Sequence, residues 1–369
     1  MSRIHLSKLS KLNKSTVSSI VSDLLEEKLI SETMIGQSTG GRKPILLSLN
    51  RAEYRIGAID FDPDCTYVAI GDIEARVIRR KKIKTESGRP LAFIKKCLNE
   101  LLEMKKELNC ANLKSIGMSI PGIVDTRNGL IVIAPDLRWK NLDIRKIVHE
   151  VDPNGIDGRV LIENEANSSA LAEQWFGQDM VKNKSNIVFI SEGIGTGIIL
   201  NKELIQGSFD AAGQFGHMTI DPDGELCICG NRGCWEVYTS KDSTARRFGG
   251  RSFNGSTNGE LGKITALAKN GDKLAIKTLV ETGRYLGIGI SNIIKAIDPE
   301  VIILGGAITQ AWDVIYPEIA KEIEARVFVD IKKKDIPIIP TSLVERSSLI
   351  GAFALVIREI FRGYRITRG

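Results

Sequence analysis

The apolar positions of this chain of 369 residues alternate between stretches of helical period and short continuous runs of strand length. Leu6, Leu9 and Leu12 fit a short helix and the turn after it. Val17, Ile20, Val21, Leu24 and Leu25 recur at i, i+3, i+4, i+7 and i+8, the apolar stripe of an amphipathic helix. Asn13 precedes that stripe, where a short polar side chain accepts from the exposed amides of the first turn. Leu29–Ile35 reads as a strand, residues 36–41 as a glycine-containing turn, and Arg42–Leu49 as a returning strand. From Arg51 the pattern changes. Strands are predicted over Tyr54–Asp60, Thr66–Asp72 and Val77–Ile83, then a helix over Pro90–Leu108 and a strand over Ile116–Gly122. Val160–Ile162 is a strand running into Glu163–Asn167, which opens a helix through Trp175. Ile187–Ile190 starts a second run of similar order. Thr265–Ile297 is largely helical, Val301–Gly306 is a strand with a glycine turn, and Ser348–Phe361 is a terminal helix. The fold class is α/β, with one strand pattern used twice.

The first 50 residues stand apart, with no Trp, Tyr or Phe and one Pro. Two helices followed by a hairpin tipped with Arg42 and Lys43 is the element order of a winged helix-turn-helix. The polar face of the second helix carries Lys14, Ser15, Ser18, Ser19 and Ser22, short groups that suit a major groove. The plainer reading of that face is solvation of an ordinary amphipathic helix. Taken with the hairpin, it makes Asn13, Lys14, Ser15, Thr16, Ser18, Ser19, Arg42 and Lys43 the expected DNA contacts. Lys11 occupies the turn between the helices, where a left-handed backbone costs a non-glycine residue on the order of 1 kcal/mol.

Bulk numbers restrict this picture without redirecting it. The chain is 43% hydrophobic and 26% charged, as soluble globular proteins are. No apolar run of about 18 residues predicts a membrane span, and the N-terminus lacks the apolar core of a secretory signal. A net charge of +6 neither requires nor excludes nucleic acid. Cys65, Cys97 and Cys110 are scattered and odd in number, which reads as reduced thiols and a cytoplasmic location.

The other three of the six cysteines belong to one motif. Nine residues separate His217 from Cys227, one separates Cys227 from Cys229, and four separate Cys229 from Cys234. One imidazole and three thiolates complete a tetrahedral zinc shell with no open position, so the metal is expected to be structural. Gly224, Gly230 and Gly233 permit the tight backbone such a loop needs. The competing reading is a reduced loop whose cysteines cluster by chance.

Gly213-Gln214-Phe215-Gly216-His217, followed by Cys-x-Cys-Gly-x-x-Gly-Cys-x-Glu ending at Glu236, resembles the signature of the ROK family of repressors, open reading frames and sugar kinases. The resemblance extends over nearly the whole chain, and Thr39–Pro44 is similar to the wing of ROK repressors. It implies an actin-like ATPase fold of two lobes with a sugar cleft between them. The lobes are expected at residues 51–175, joined by the returning helix 348–369, and at residues 176–347, which hold the zinc loop 217–234. Sugar ligands of the family fall on Gly122, Asn164, Glu165, Gln214, His217 and Glu236. Gln214 departs from the family's Glu, turning a pure acceptor into a group that also donates.

The resemblance also bears on catalysis. Family kinases use a first loop of Asp-x-Gly-Gly-Thr type and a catalytic aspartate. Here the loop reads Asp60-Phe61-Asp62-Pro63-Asp64-Cys65-Thr66, without glycine, and Glu165 stands at the position of the base. Pro63 removes an amide donor, and Asp62 and Asp64 repel phosphate. One added methylene moves the carboxylate by about 1 Å, a displacement to which catalysis is sensitive. Glu192–Gly197 and Gly305-Gly306 retain the family's glycines, but a tight turn between strands at the fold's hinge is the favoured reading of the glycine loop. The expectation is a sugar-responsive transcriptional repressor with a pseudokinase body, no ATP requirement, operator DNA and a sugar as partners, and a homodimer or dimer of dimers. The rival readings are an active sugar kinase with a vestigial DNA module and an interaction protein blind to free sugar. ROK repressors carry a further helix before the one near Ser2. Without it, Leu6, Leu9 and the stripe from Val17 to Leu25 are expected to be exposed.

Overall fold

The computed structural model describes residues 1–35, 45–110, 113–153, 159–249, 259–328 and 336–362. The chain opens with α1 (Arg3–Ser10) and α2 (Lys14–Glu26), then β1 (Ile30–Ile35) antiparallel to β2 (Ile45–Leu49). Ser2 caps α1, and Asn13 caps α2 by accepting from the Thr16 amide at 2.7 Å. Between the helices Lys11 takes the left-handed conformation, φ 60° and ψ 17°. Met1 lies beside β2: its ammonium donates to the Leu47 carbonyl at 2.8 Å, and the Leu47 amide donates to the Met1 carbonyl at 2.7 Å. The expected exposure holds only in part. Leu9 is 62% exposed, but Val17 and Val21 are buried against Leu47, with Leu6, Leu12, Leu25 and Ile30 packed around them. The hairpin closes the stripe that the sequence alone left open. Arg42 and Lys43 lie outside the described residues.

The body is built on two sheets of five strands with the same order and directions. In the first, β3 (Arg55–Asp60), β4 (Cys65–Asp72) and β5 (Val77–Lys84) form an antiparallel meander. α3 (Pro90–Glu107) then crosses to β6 (Leu113–Ile120), which lies parallel to β3. A small sheet of β7 (Ile123–Asp125), β8 (Leu130–Ala134) and β9 (Trp139–Asp143) follows, then α4 (Ile144–Val151) and β10 (Arg159–Asn164), parallel to β6. The chain continues through α5 (Glu165–Phe176) and α6 (Asp179–Lys182) into the second sheet. There β11 (Ile187–Ile190), β12 (Thr196–Leu200) and β13 (Glu203–Leu204) repeat the meander. After α7 (Glu236–Thr239), α8 (Lys241–Gly249), α9 (Glu260–Lys269) and α10 (Lys273–Ile297) comes β14 (Val301–Leu304), parallel to β11. α11 (Trp312–Arg326), β15 (Ile338–Pro340), parallel to β14, and α12 (Ser347–Arg362) complete the chain.

Strand alternation divides the core into layers. In β3, Ile56 and Ala58 face α5 and α12, while Ile59 packs with Phe93, Leu98 and Leu101 of α3. In β11, Ile187 and Phe189 face α5 and α12, while Val188 and Ile190 face the helices α9, α10 and α11. α5 and α12 therefore lie between the two sheets. They cross closely because α12 has a glycine where they meet: a Cβ on Gly351 would sit 2.1 Å from the Ser168 carbonyl. The predicted helix over Thr265–Ile297 is two helices, broken at Gly271 (φ 84°), after which Asp272 caps α10 through the Ala275 amide.

Candidate effector cleft and metal centre

β3, β6 and β10 are neighbouring parallel strands, so their C-terminal ends lie side by side, the position in which parallel α/β sheets hold ligands. β10 runs directly into α5, so the turn between them stands at those ends. Asn164 caps α5 through the Ala166 and Asn167 amides, and its amide nitrogen donates to the Gly122 carbonyl at 2.9 Å. Glu165 follows, half-buried, and accepts from the Ser191 hydroxyl at 2.8 Å. Burial, the nearby charge of Asp60 and that of Asp62 outweigh the Ser191 hydrogen bond and Arg346, and the Glu165 carboxyl is pushed up to about 7. Glu163 is buried behind this pair. It accepts from the Asn164 amide, from Asn167 at 3.0 Å and from Gln206 at 2.6 Å.

On the other lobe, Gln214 is exposed at the entrance to the single turn Phe215–His217. His217 Nδ1 lies 3.3 Å from the Glu236 carboxylate. The expected sugar residues thus form two groups, Gly122, Asn164 and Glu165 on one side and Gln214, His217 and Glu236 on the other. Asp136, which no motif in the sequence marks, lies near Glu236: desolvation by the protein around it, and then the charges of Glu236 and Asp242, raise its carboxyl above the usual range.

His217, Cys227, Cys229 and Cys234 bring one ligand atom each to within 4.8 Å of the others. Cys227 Sγ is 3.6 Å from His217 Nδ1, and Cys229 Sγ is 3.6 Å from Cys234 Sγ. A tetrahedral zinc shell of one nitrogen and three sulfurs has edges of about 3.5–3.8 Å, so these two pairs match its spacing and the donor set fits the ion in number and type. The backbone makes this geometry locally. Ile220 N donates to the Gly233 carbonyl, Cys227 N to the Asn231 carbonyl and Trp235 N to the Met218 carbonyl, at 2.8–2.9 Å. Gly233 is required twice over, by its φ of 65° and because a Cβ there would sit 1.5 Å from the Asp221 carbonyl. Trp235, fully buried, anchors the loop to α10 by donating from its indole to the Tyr285 carbonyl at 2.8 Å.

The loop after β3 is closed on itself. Asp62 Oδ1 accepts from the Asp64 and Cys65 amides at 3.0 and 3.3 Å, occupying donors a phosphate would need. Arg346, just before α12, donates to Asp60 at 2.8 Å and to Asp62 at 3.0 Å, and Ser348 donates to Asp60 at 2.9 Å. Burial opposes the charge on Asp62, but Arg346, the Asp64 amide and Lys241 hold its carboxyl below the usual range. Asp60 is raised by its complete burial, which one shared guanidinium does not offset. The second glycine loop is a tight turn between β11 and β12, in which the Ser191 amide donates to the Gly195 carbonyl at 2.8 Å. Glu192 turns towards the other glycine pair, accepting from Ala307 N at 3.1 Å. No sequence signal links Arg346 to Asp60, 286 residues away.

The ROK family model matches residues 56–359. The xylose repressor of Bacillus spizizenii is 35% identical over 365 residues, covering 97% of this chain and 91% of that protein. A solved ROK family transcriptional regulator, a homologue of the E. coli MLC protein, superposes with a TM-score of 0.81 at 26% identity, over 98% of this chain and 93% of that one. A ROK family glucokinase from Streptomyces griseus, solved with glucose and AMPPNP, shares the fold at a TM-score of 0.67 and 24% identity, over 82% of this chain and 99% of that one. With its paired five-stranded sheets and this match across the body, the chain belongs to the ROK family.

Proposed function

We propose that this chain is a sugar-responsive, DNA-binding transcriptional repressor whose kinase-like body senses a sugar without phosphorylating it. The observation that carries the second half is the loop after β3. The Asp64 and Cys65 amides are taken by Asp62, and the cations beside the loop, Arg346 and Lys241, are paired with Asp60, Asp62 and Asp64, an arrangement that disfavours a nucleotide's phosphates. The first half is supported by relatives named as repressors, whose similarity spans the N-terminal helices and hairpin as well as the body. Asn13, Lys14, Ser15, Thr16, Ser18 and Ser19 on α2, with Arg42 and Lys43 beyond β1, are the proposed DNA contacts. A single such module binds weakly, so the working unit is a homodimer or a dimer of dimers on a two-fold operator.

The sugar is held between Gly122, Asn164 and Glu165 on one lobe and Gln214, His217 and Glu236 on the other. Carboxylates and amides at hydrogen-bonding distance suit vicinal hydroxyls. A zinc ion on His217, Cys227, Cys229 and Cys234 fixes the imidazole ring that faces the sugar, as metal ligands are oriented elsewhere. Because the relatives are named xylose repressors, xylose is the first sugar to test.

The experiment pairs two measurements on the full chain. DNA from upstream of its own gene is titrated by fluorescence anisotropy with and without xylose and a panel of aldopentoses and aldohexoses. ATP turnover is followed with the same sugars. Specific DNA binding shifted by one sugar, without turnover, is expected. Sugar-dependent ATP hydrolysis would replace this reading with an active kinase, and absence of specific DNA binding would remove the repressor.

A further inference from the structure

Between β13 and the turn carrying His217, the chain makes a compact loop. Gln206 and Ala212 close it through a backbone hydrogen bond of 3.0 Å, and it is flanked by Gly207 (φ 78°) and Gly213 (φ 85°). This loop belongs to the second sheet, yet its polar side chains reach the first lobe. Asp210 accepts from the Thr126 amide at 3.1 Å and from the Thr126 hydroxyl at 3.3 Å. Gln206 donates to Glu163 at 2.6 Å, and Glu163 is buried beside Asn164 and Asn167. Asp210 itself sits at φ 51°, a left-handed conformation that Asp tolerates better than most residues. The loop therefore carries a left-handed, non-glycine residue at the point where it meets the first lobe.

We infer that residues 206–213 form a strap between the lobes, and that Asp210 and Gln206 are positioning residues for the effector. The inference rests on the proposed sugar cleft. The strap ends at Gln214 and His217, and it is fastened to Thr126 and Glu163, which adjoin Gly122 and Asn164. It thus sets the distance between the two groups that grip the sugar. Neither Asp210 nor Gln206 needs to touch the sugar. A hydrogen bond to a charged acceptor contributes more than a neutral one, and misplacing a binding group by a fraction of an ångström weakens each interaction it makes.

The test uses the full chain with its zinc content verified, and xylose as the probe. Amide exchange at Thr126 reads the strap without sugar: Asp210→Ala is expected to speed it at least about tenfold, since the carboxylate acceptor is gone. Calorimetry is expected to show xylose affinity weakened about tenfold in Asp210→Ala and in Gln206→Leu, with melting temperature and zinc content near the parent's. Thr126→Ser, which keeps both donors, is expected to bind as the parent does, and Thr126→Val to fall between. The Thr126→Val and Asp210→Ala effects should be less than additive when combined, because both act on the same hydrogen-bonded pair. Unchanged Thr126 exchange in Asp210→Ala, or unchanged xylose affinity in a parent that binds xylose, overturns the strap alone. A parent that binds no sugar of the panel removes the cleft reading and the strap's role with it.

Discussion

The metal loop and the loop after β3 are both short, polar and placed where strands end, yet they are completed in opposite ways. The metal loop draws all its donors from residues 217–234, and its glycines and backbone hydrogen bonds bring them together. The loop after β3 is acidic and incomplete by itself. Its neutralising cations come from far along the chain: Arg346, paired with Asp60 and Asp62, and Lys241, 3.6 Å from Asp64. A constellation built within about twenty positions is visible as spacing. One built across the fold depends on how α12 packs, and spacing carries no trace of it.

The largest effect that separates them should come from the metal. Zinc at about one per chain is expected by elemental analysis, and Cys229→Ser should lower it sharply. Apparent stability should fall on the order of 5 kcal/mol or more, and the sugar's effect on DNA affinity should vanish while DNA binding itself persists. If the variant loses zinc and still binds sugar as tightly as the parent, the metal loop is a clasp with no bearing on the effector. Thiols must shed protons to bind the ion, so zinc affinity should weaken on acidification.

Arg346→Met comes next. It removes the guanidinium that Asp60 and Asp62 share, leaving Asp62 only Lys241, and should cost up to about 3 kcal/mol in chemical unfolding. Adding Asp60→Asn and Asp62→Asn should recover most of that loss, since the uncompensated charges go with it. Neither form is expected to hydrolyse ATP. If Arg346→Met is as stable as the parent, the ion pair does not hold the loop.

A smaller effect belongs to Glu165. Its folded carboxyl is raised from 4.5 to about 7, so the protonated form favours the folded state. That contribution is fully present below about pH 4.5 and is lost as pH rises through about 7. The shift corresponds to at most about 3 kcal/mol. Glu165→Gln should therefore flatten the melting temperature between those limits relative to the parent. Parallel pH profiles for the two proteins would place the raised acid elsewhere. The smallest effect is at the wing, where Arg42→Ala should reduce the salt slope of DNA binding by roughly one for each phosphate that Arg42 neutralises in the parent. An unchanged slope would take Arg42 out of the interface.

The body's architecture is largely legible in the sequence because strand and helix periods are local. The predicted β3, β4, β5, β11 and β14 agree with the structure within one or two residues, and the repeated order β3–β4–β5–β6 and β11–β12–β13–β14 is the duplication that the strand pattern suggests. The small sheet β7–β9 and the strands β12 and β13 are not among the strands read from the sequence. At the cleft, Asn164, Glu165, His217 and Glu236 are found through contiguous motifs. Ser191, Glu163, Asp136 and Gln206 are not, because each is an ordinary polar residue until another element comes to face it.

Spacing along the chain was enough to specify the candidate metal donor set, the cap at Asn13 and the loss of glycine from the loop after β3. Each depends on residues a few positions apart, and backbone geometry converts spacing directly into proximity. Three outcomes waited on the assembled fold: what the acidic loop pairs with, the burial of Val17 and Val21 under the hairpin, and the meeting of Glu165 with Ser191 across the cleft. They depend on which faces of α2, α5 and α12 pack against which strands. That choice is made by the whole core, through close approaches such as Gly351 on Ser168, and no local pattern encodes it.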